Sequence, residues 1–287
     1  MDTMSTGTGT GADVGGQEQL TMRRGRAVRQ KSAGRQRGRR GMLIALGQLG
    51  VVLLILGLWQ LLSGRVIDYF LISNPIDVIA KLVAVLDDGA MHRHITATGQ
   101  ELVLGWALGA STGAVAGWAL GAVRIVGEIM EPILNAINGI PKVALAPMFL
   151  LWFGLGIGSK IAIAGMIVFF LVFFNVYSGM RTVPQPLCEV ARAMGASRMF
   201  VVRKVVVPSV SVPLFAGLKA GVSFAMIGVI AAEFISADEG LGYYSMTSTQ
   251  QFDPSGLFAA LVIIVAMVVV GTAVIGVFER RALKWQR

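Results

Sequence analysis

The residues best placed to act on a partner lie in one polar segment, Pro184 to Pro208. It reads P-Q-P-L-C-E-V-A-R-A-M-G-A-S-R-M-F-V-V-R-K-V-V-V-P and stands between two long apolar runs. Its chemistry is recognition rather than bond-making. Glu189 and Arg192 offer one charge of each sign, Ala191 a small contact surface and Gly195 a tight turn. Pro184 and Pro186 suit a helix start, Glu189 falls where negative charge complements the helix dipole, and Gly195 ends the helix. Ala196 to Met199 start a second helix that runs back into apolar residues as far as Pro208. The expected shape is a short helix, a turn and a second helix, with small residues outward, able to seat in a groove of a soluble protein. Signatures of catalysis are missing: the chain has no G-x-S-x-G, H-E-x-x-H or Walker A sequence. Its one cysteine, Cys188, excludes an intramolecular disulfide. His92 and His94 flank Arg93 without a third ligand nearby, so no metal site is expected.

The elements that must position this segment are written in the composition. With 287 residues, 55% hydrophobic and only 14% charged, and a mean hydropathy of +0.70, the chain has more apolar surface than a soluble fold of this size can hide. Charge-free runs extend from Met42 to Gly64, Leu102 to Val123, Val143 to Ser159, Ile161 to Met180 and Pro254 to Phe278. Each is near the roughly 20 residues that cross a hydrocarbon core. A sixth, Val205 to Ala232, is broken only by Lys219. Membrane β-strands are shorter and alternate apolar with polar, so the predicted fold is an all-α membrane bundle of about six spans. Gly105, Gly109, Gly113, Gly117 and Gly121 recur every four residues in the second span. Such a stripe lets a neighbouring helix backbone approach closely and gain dispersion contacts that hydrophobicity cannot supply in lipid.

Lysine and arginine set the orientation. Nine of the 25 lie before Met42 (Arg23, Arg24, Arg26, Arg29, Lys31, Arg35, Arg37, Arg39 and Arg40), and such a cluster resists translocation. Both termini are therefore expected in the cytoplasm, with Arg124, the Arg181 to Lys204 stretch and Arg280 to Arg287 also inward. Arg65, Lys81, Arg93 and Lys160 fall to the outer loops. The net charge of +9 comes with no nucleic-acid motif, and anionic lipid headgroups are its expected counter-charge. The organisation reads as a disordered basic tail at 1–41, a first membrane helix at 42–64, an external loop with a short amphipathic helix at 65–94, and a core at 95–287 whose cytoplasmic loop covers 184–204.

Charged and amide residues inside the apolar runs are the remaining candidates. Asn135, Asn138, Pro141 and Lys142 interrupt the third span. Broken backbone at membrane depth is tolerated only where it is buried in protein or lines a cavity. Lys142 then either meets an anionic solute or marks a helix junction near the interface. Glu101, Glu128, Glu131, Lys219 and Glu233 are the other ionisable groups near or inside spans, where they are costly and are usually paired or facing water. A structural or gating role near the outer face is expected of Glu233. With Asn135, Asn138 and Lys142 it completes the set of residues considered for a translocation path.

The polar segment resembles the signature loop of binding-protein-dependent ABC transporter permeases, written E-A-A, three residues, G, nine residues, I-x-L-P. Glu189, Val190 and Ala191 stand for E-A-A, Gly195 for the glycine, and Val205 to Pro208 for the last element. Val190 replaces an alanine, and Val205 and Val207 replace isoleucine and leucine, without moving the spacing. Elsewhere the chain is similar to the nitrate, sulfonate and taurine branch of that family, through Ile140 to Lys160, A-A-E-F-I-S-A-D-E-G-L-G-Y (Ala231 to Tyr243) and E-R-R-A-L-K-W (Glu279 to Trp285). The resemblance covers about residues 70 to 287. It implies a type I importer permease with a coupling helix at Glu189 to Gly195 that docks in a cleft of a cytoplasmic ATPase subunit, Arg192 being available for an acidic partner. It further implies a second permease copy, expected to make a homodimer, two ATPase subunits that hold ATP and Mg, and an external substrate-binding protein. No cofactor and no catalytic site are expected in this chain, and the bacterial cytoplasmic membrane is the expected location.

A rival reading makes the chain a proton-coupled secondary transporter with Glu233 and Glu101 as relay carboxylates. Secondary carriers often carry paired repeats with matching broken helices. No such self-similarity is visible here, and a carrier gives no reason for the spacing from Glu189 to Pro208. The resembling branch includes importers of nitrate, alkanesulfonates, taurine, aromatic acids and pyrimidine vitamin precursors. A small anionic solute such as a sulfonate is the leading expectation.

Overall fold

The computed structural model describes residues 42–44 and 46–284, so the basic tail at 1–41 and the end of the chain at 285–287 lie outside the described residues. Two units are distinguished, one ending at Arg65 and one running from Val66. In the first, α1 (Met42–Leu62) is apolar and long enough to cross a bilayer. The second unit is built from α2 (Pro75–Asp87), α3 (Ala90–Ala122), α4 (Arg124–Asn138), α5 (Ala146–Phe153), α6 (Ile157–Arg181), α7 (Gln185–Ala193), α8 (Val207–Ile235), α9 (Leu241–Gln250) and α10 (Pro254–Ala282). Among the described residues, five helical stretches are long and apolar enough to span, and a bent pair, Ile125–Asn138 with Lys142–Phe153 at 74°, makes a sixth if it is one broken crossing.

The bend falls among the residues expected to interrupt the third span, Asn135 to Lys142, and the pair corrects the extent of that crossing rather than its break. Gly154 takes φ 75° and its N–H closes on Leu150 O at 2.8 Å, so α5 stops at Phe153, short of the charge-free run to Ser159. The crossing draws on α4 as its other half. Glu128 accepts from Arg181 at 3.3 Å and Glu131 from the Tyr177 hydroxyl at 3.1 Å, both on α6. Polar residues on α4 are thus satisfied by a helix some fifty residues away, which a count of apolar residues does not register.

The centre of the unit is α3 laid against α6, and the glycine stripe makes it possible. At Gly117 a Cβ would stand 2.7 Å from Phe173 O and 3.0 Å from Val176 Cβ. Gly105 meets Ala164, Gly113 the backbone of Phe169, and Gly121 the Met180 side chain. Close backbone approach of this kind is how helices associate where lipid is as apolar as leucine. Val168, Val172 and Val176 of α6 are buried in one cluster with Ala225 and Val229 of α8, so the valines that meet the glycine stripe also close the packing with α8. The Trp106 indole N–H donates to Leu218 O at 3.0 Å and ties α3 to α8.

Lys160 is the second correction. Assigned by sequence to an outer loop, it lies in the first turn of α6, buried, with its ammonium 2.7 Å from Glu101 Oε1 of α3. A charge this far from water requires such a partner. Lys219 and Glu279 form a comparable ion pair between α8 and α10.

Candidate functional site

The segment from Pro184 to Pro208 folds as a helix, a turn and a helix. Pro186 occupies the first turn of α7, where a missing N–H costs nothing. At the other end Gly195 adopts φ 86°, a left-handed conformation suited to glycine, and Ala196 N–H reaches back to Ala191 O at 3.0 Å. Ser197 then caps the Arg198–Val201 turn by accepting from Phe200 N–H. The chain enters α8 through a wide turn at Val202–Val206, in which Val207 N–H closes five residues back on Val202 O. Pro208 in the first turn of α8 has no N–H to offer the preceding turn, and the Ser209 hydroxyl takes up Val205 O at 2.7 Å.

Burial divides α7 into two faces. Cys188 and half-buried Ala191, three residues apart, pack with Val183, Val201 and Val205. The outward face carries Leu187, Val190 and Met194, the last 83% exposed, with Glu189 and Arg192 exposed alongside. Small residues were expected outward. Ala193 and Gly195 are exposed, but Ala191 is half-buried against the core cluster, and large apolar side chains share the outward face with the small ones. Large apolar side chains rimmed by charge make a surface suited to docking.

Asn138 and Lys142 come together at the bend between α4 and α5. The Lys142 ammonium donates to Asn138 O and Oδ1, both at 2.9 Å, and stands 4.7 Å from the Phe170 ring centre. Both residues line a cavity of about 560 Å³ whose walls include Phe170, Phe174, Asn175 and Phe224. Asn135, one turn earlier on α4, is exposed and outside this cavity. Asn175 was not anticipated. It lies on the α6 side and packs against Gly217 of α8, and nothing in its local sequence marks it.

Glu233 belongs to a different site. It is buried in α8, accepts the Thr98 hydroxyl at 2.7 Å and the Gly242 N–H, and lines a smaller cavity of about 290 Å³. Thr98 Oγ1 in turn accepts Leu241 N–H at 2.8 Å, and His94 Nδ1 accepts Gly240 N–H at 3.1 Å. Gly240 takes φ 127° directly over the carboxylate, where no side chain fits. Glu233 thus clamps the start of α9 to α3 and α8. Glu101, whose Oε1 holds Lys160, has its Oε2 buried without a hydrogen-bond partner among the described residues.

A membrane helix bundle with an exposed helix–glycine–helix segment defines the class, and comparison with known proteins supplies the family. Residues 109–284 match the model of the binding-protein-dependent transport system inner membrane component, and the chain belongs to this family of ABC importer permeases. The formylaminopyrimidine transport permease of Halalkalibacterium halodurans is 30% identical over 82% of this chain and 94% of its own length. The taurine transport system permease of Escherichia coli is 25% identical over 86% and 90%. Among solved structures, the inward-facing MetNI methionine ABC transporter shares the fold, with a TM-score of 0.59 at 19% identity over 67% of this chain and 95% of that one. Permeases of this family are transport subunits that work with an ATPase and a binding protein.

Proposed function

We propose that this chain passes a small anionic solute, such as a sulfonate, from an external binding protein into the cytoplasm, driven by ATP hydrolysis in a separate subunit. The observation that carries the coupling role is the outward face of α7. Leu187, Val190 and Met194 present an apolar patch flanked by Glu189 and Arg192, held at a fixed angle by Gly195 and braced by the buried Cys188 side. Such a patch fits an apolar cleft with an acidic rim, and a cytoplasmic ATPase in two copies, holding ATP and its Mg, is the proposed occupant. Two copies of this chain, both termini cytoplasmic, would complete the channel in the bacterial cytoplasmic membrane. Lys142 with Asn138 is the proposed point of contact with the solute, and the likeness to a taurine permease supports a solute that carries a sulfonate group.

The test replaces Met194, the most exposed residue of the patch, with aspartate. Met194→Asp should leave the chain in the membrane with its melting temperature unchanged, while the ATPase no longer co-purifies. Retention of the ATPase at wild-type yield would remove α7 from the interface.

A further inference from the structure

The cavity at the α4–α5 bend also constrains what kind of anion it can take, an inference that rests on the permease reading above. Lys142 is the one cation among its lining residues, and no carboxylate lines it among the described residues. The ammonium has two neutral oxygens of Asn138 and the face of Phe170, but no counter-ion. A cation inside a span without a carboxylate partner is costly, and such groups mark binding sites for charge of opposite sign. The lining beside it is aromatic: Phe170, under the ammonium, is buried, and Phe174 and Phe224 also line the cavity. At about 560 Å³ the space is within the range of small-molecule sites.

We propose that this cavity binds an organic anion with a flat apolar body and no ammonium group, its acid group on Lys142 Nζ and its body against Phe170, Phe174 and Phe224. A zwitterion would bring an ammonium close to Lys142 with no carboxylate to receive it. A bare oxyanion such as nitrate would satisfy Lys142 and leave the aromatic wall uncovered. Apolar contact and charge pairing are each used only by a ligand that carries both.

The experiment uses the permease purified with its co-purifying subunits and radiolabelled benzenesulfonate in equilibrium dialysis, with nitrate and taurine as competitors. Saturable binding is expected, competed at least roughly tenfold less well by nitrate and taurine than by unlabelled benzenesulfonate. Lys142→Met should weaken it roughly ten- to a hundredfold, the loss of a charge-assisted hydrogen bond, and Lys142→Arg should restore part of the loss. Phe224→Ala should weaken benzenesulfonate while leaving nitrate unaffected, a readout that misfolding would not give. Equal competition by taurine or nitrate, absence of benzenesulfonate binding, or binding indifferent to Lys142→Met would overturn the proposal. Failure of an ATPase to co-purify would instead strike the permease reading, so the two failures are separable.

Discussion

Replacing Glu233 with alanine should loosen one loop far more than the bundle. The carboxylate accepts from the Thr98 hydroxyl and the Gly242 N–H, and Thr98 passes the restraint to the Leu241 N–H. Each hydrogen bond to a buried charge contributes about 1.5–3 kcal/mol, so losing two costs about 3–6 kcal/mol. Water that enters the space left by the side chain re-pairs part of the freed donors, and a net local cost of about 2–4 kcal/mol remains. At about 1.4 kcal/mol per factor of ten, the opening equilibrium of the loop should rise roughly thirtyfold to several hundredfold. Hydrogen exchange followed by mass spectrometry reads this directly in the peptide covering 236–244, whose amides should exchange faster by that factor. Peptides from the α3–α6 interface should keep their wild-type rates. Glu233→Gln keeps a carbonyl for Thr98 but loses the charge and one acceptor, so about tenfold is expected. Exchange within about threefold of wild type in Glu233→Ala, or acceleration spread evenly over the bundle, would refute the clamp.

Three further outcomes follow from packing and charge. Gly109→Val should force α3 away from Gly165 and Val168 of α6 and lower the yield of folded protein by an overpacking cost of about 1–3 kcal/mol or more, whereas Gly156→Ala, with open space around it, should be silent in the same fluorescence size-exclusion assay. Lys160→Met should cost about 3–5 kcal/mol by stranding Glu101, and adding Glu101→Gln should recover much of the lost melting temperature. The pair Lys81–Asp253, 2.8 Å apart and partly exposed, should contribute under about 1 kcal/mol. Burial alone would raise the Asp253 carboxyl, but hydrogen bonds from Lys81 and Gly256 outweigh it and hold the group below its usual range. The hydrogen bond to Asp253 raises Lys81, against the opposing effect of burial. A depressed carboxyl stabilises above its unfolded pKa, and a raised ammonium stabilises below its own. The melting difference between wild type and Asp253→Asn should therefore be flat from about pH 5 to 9, shrink as acid protonates Asp253, and shrink again in strong base as Lys81 is neutralised.

What could be read from the chain was whatever depends on neighbours in sequence. The glycines from Gly105 to Gly121 announce a close helix contact because their four-residue spacing alone puts them on one face, and α6 does meet them there. The turn at Gly195 was legible for the same reason, since prolines and a glycine punctuate it locally. Illegible features join distant residues. Lys160 finds Glu101 across 59 positions and Thr98 finds Glu233 across 135, so neither pairing leaves a local trace. The outward face of α7 was only partly legible: Ala193 and Gly195 are exposed, but the large apolar Leu187, Val190 and Met194 share that face, and Ala191 turns inward against Val183 and Val201. The break of the third crossing at Asn138 to Lys142 was legible, but its extent into α4 was not, because Glu128 and Glu131 look unfit for a membrane until Arg181 and Tyr177 are seen beside them.

The central claim, that this chain is coupled through its Gly195 turn to an ATP-hydrolysing partner, is tested most directly by purifying it from its native membrane in mild detergent and assaying ATP hydrolysis in the co-purified complex. Gly195 has open space around it, so Gly195→Arg adds bulk at the cost of only about 1–2 kcal/mol of left-handed strain and should leave the bundle folded. An ATPase in equal copy number, active with the wild-type chain and absent with Gly195→Arg, is the predicted result. A chain that purifies alone and moves solute under a proton gradient would contradict it.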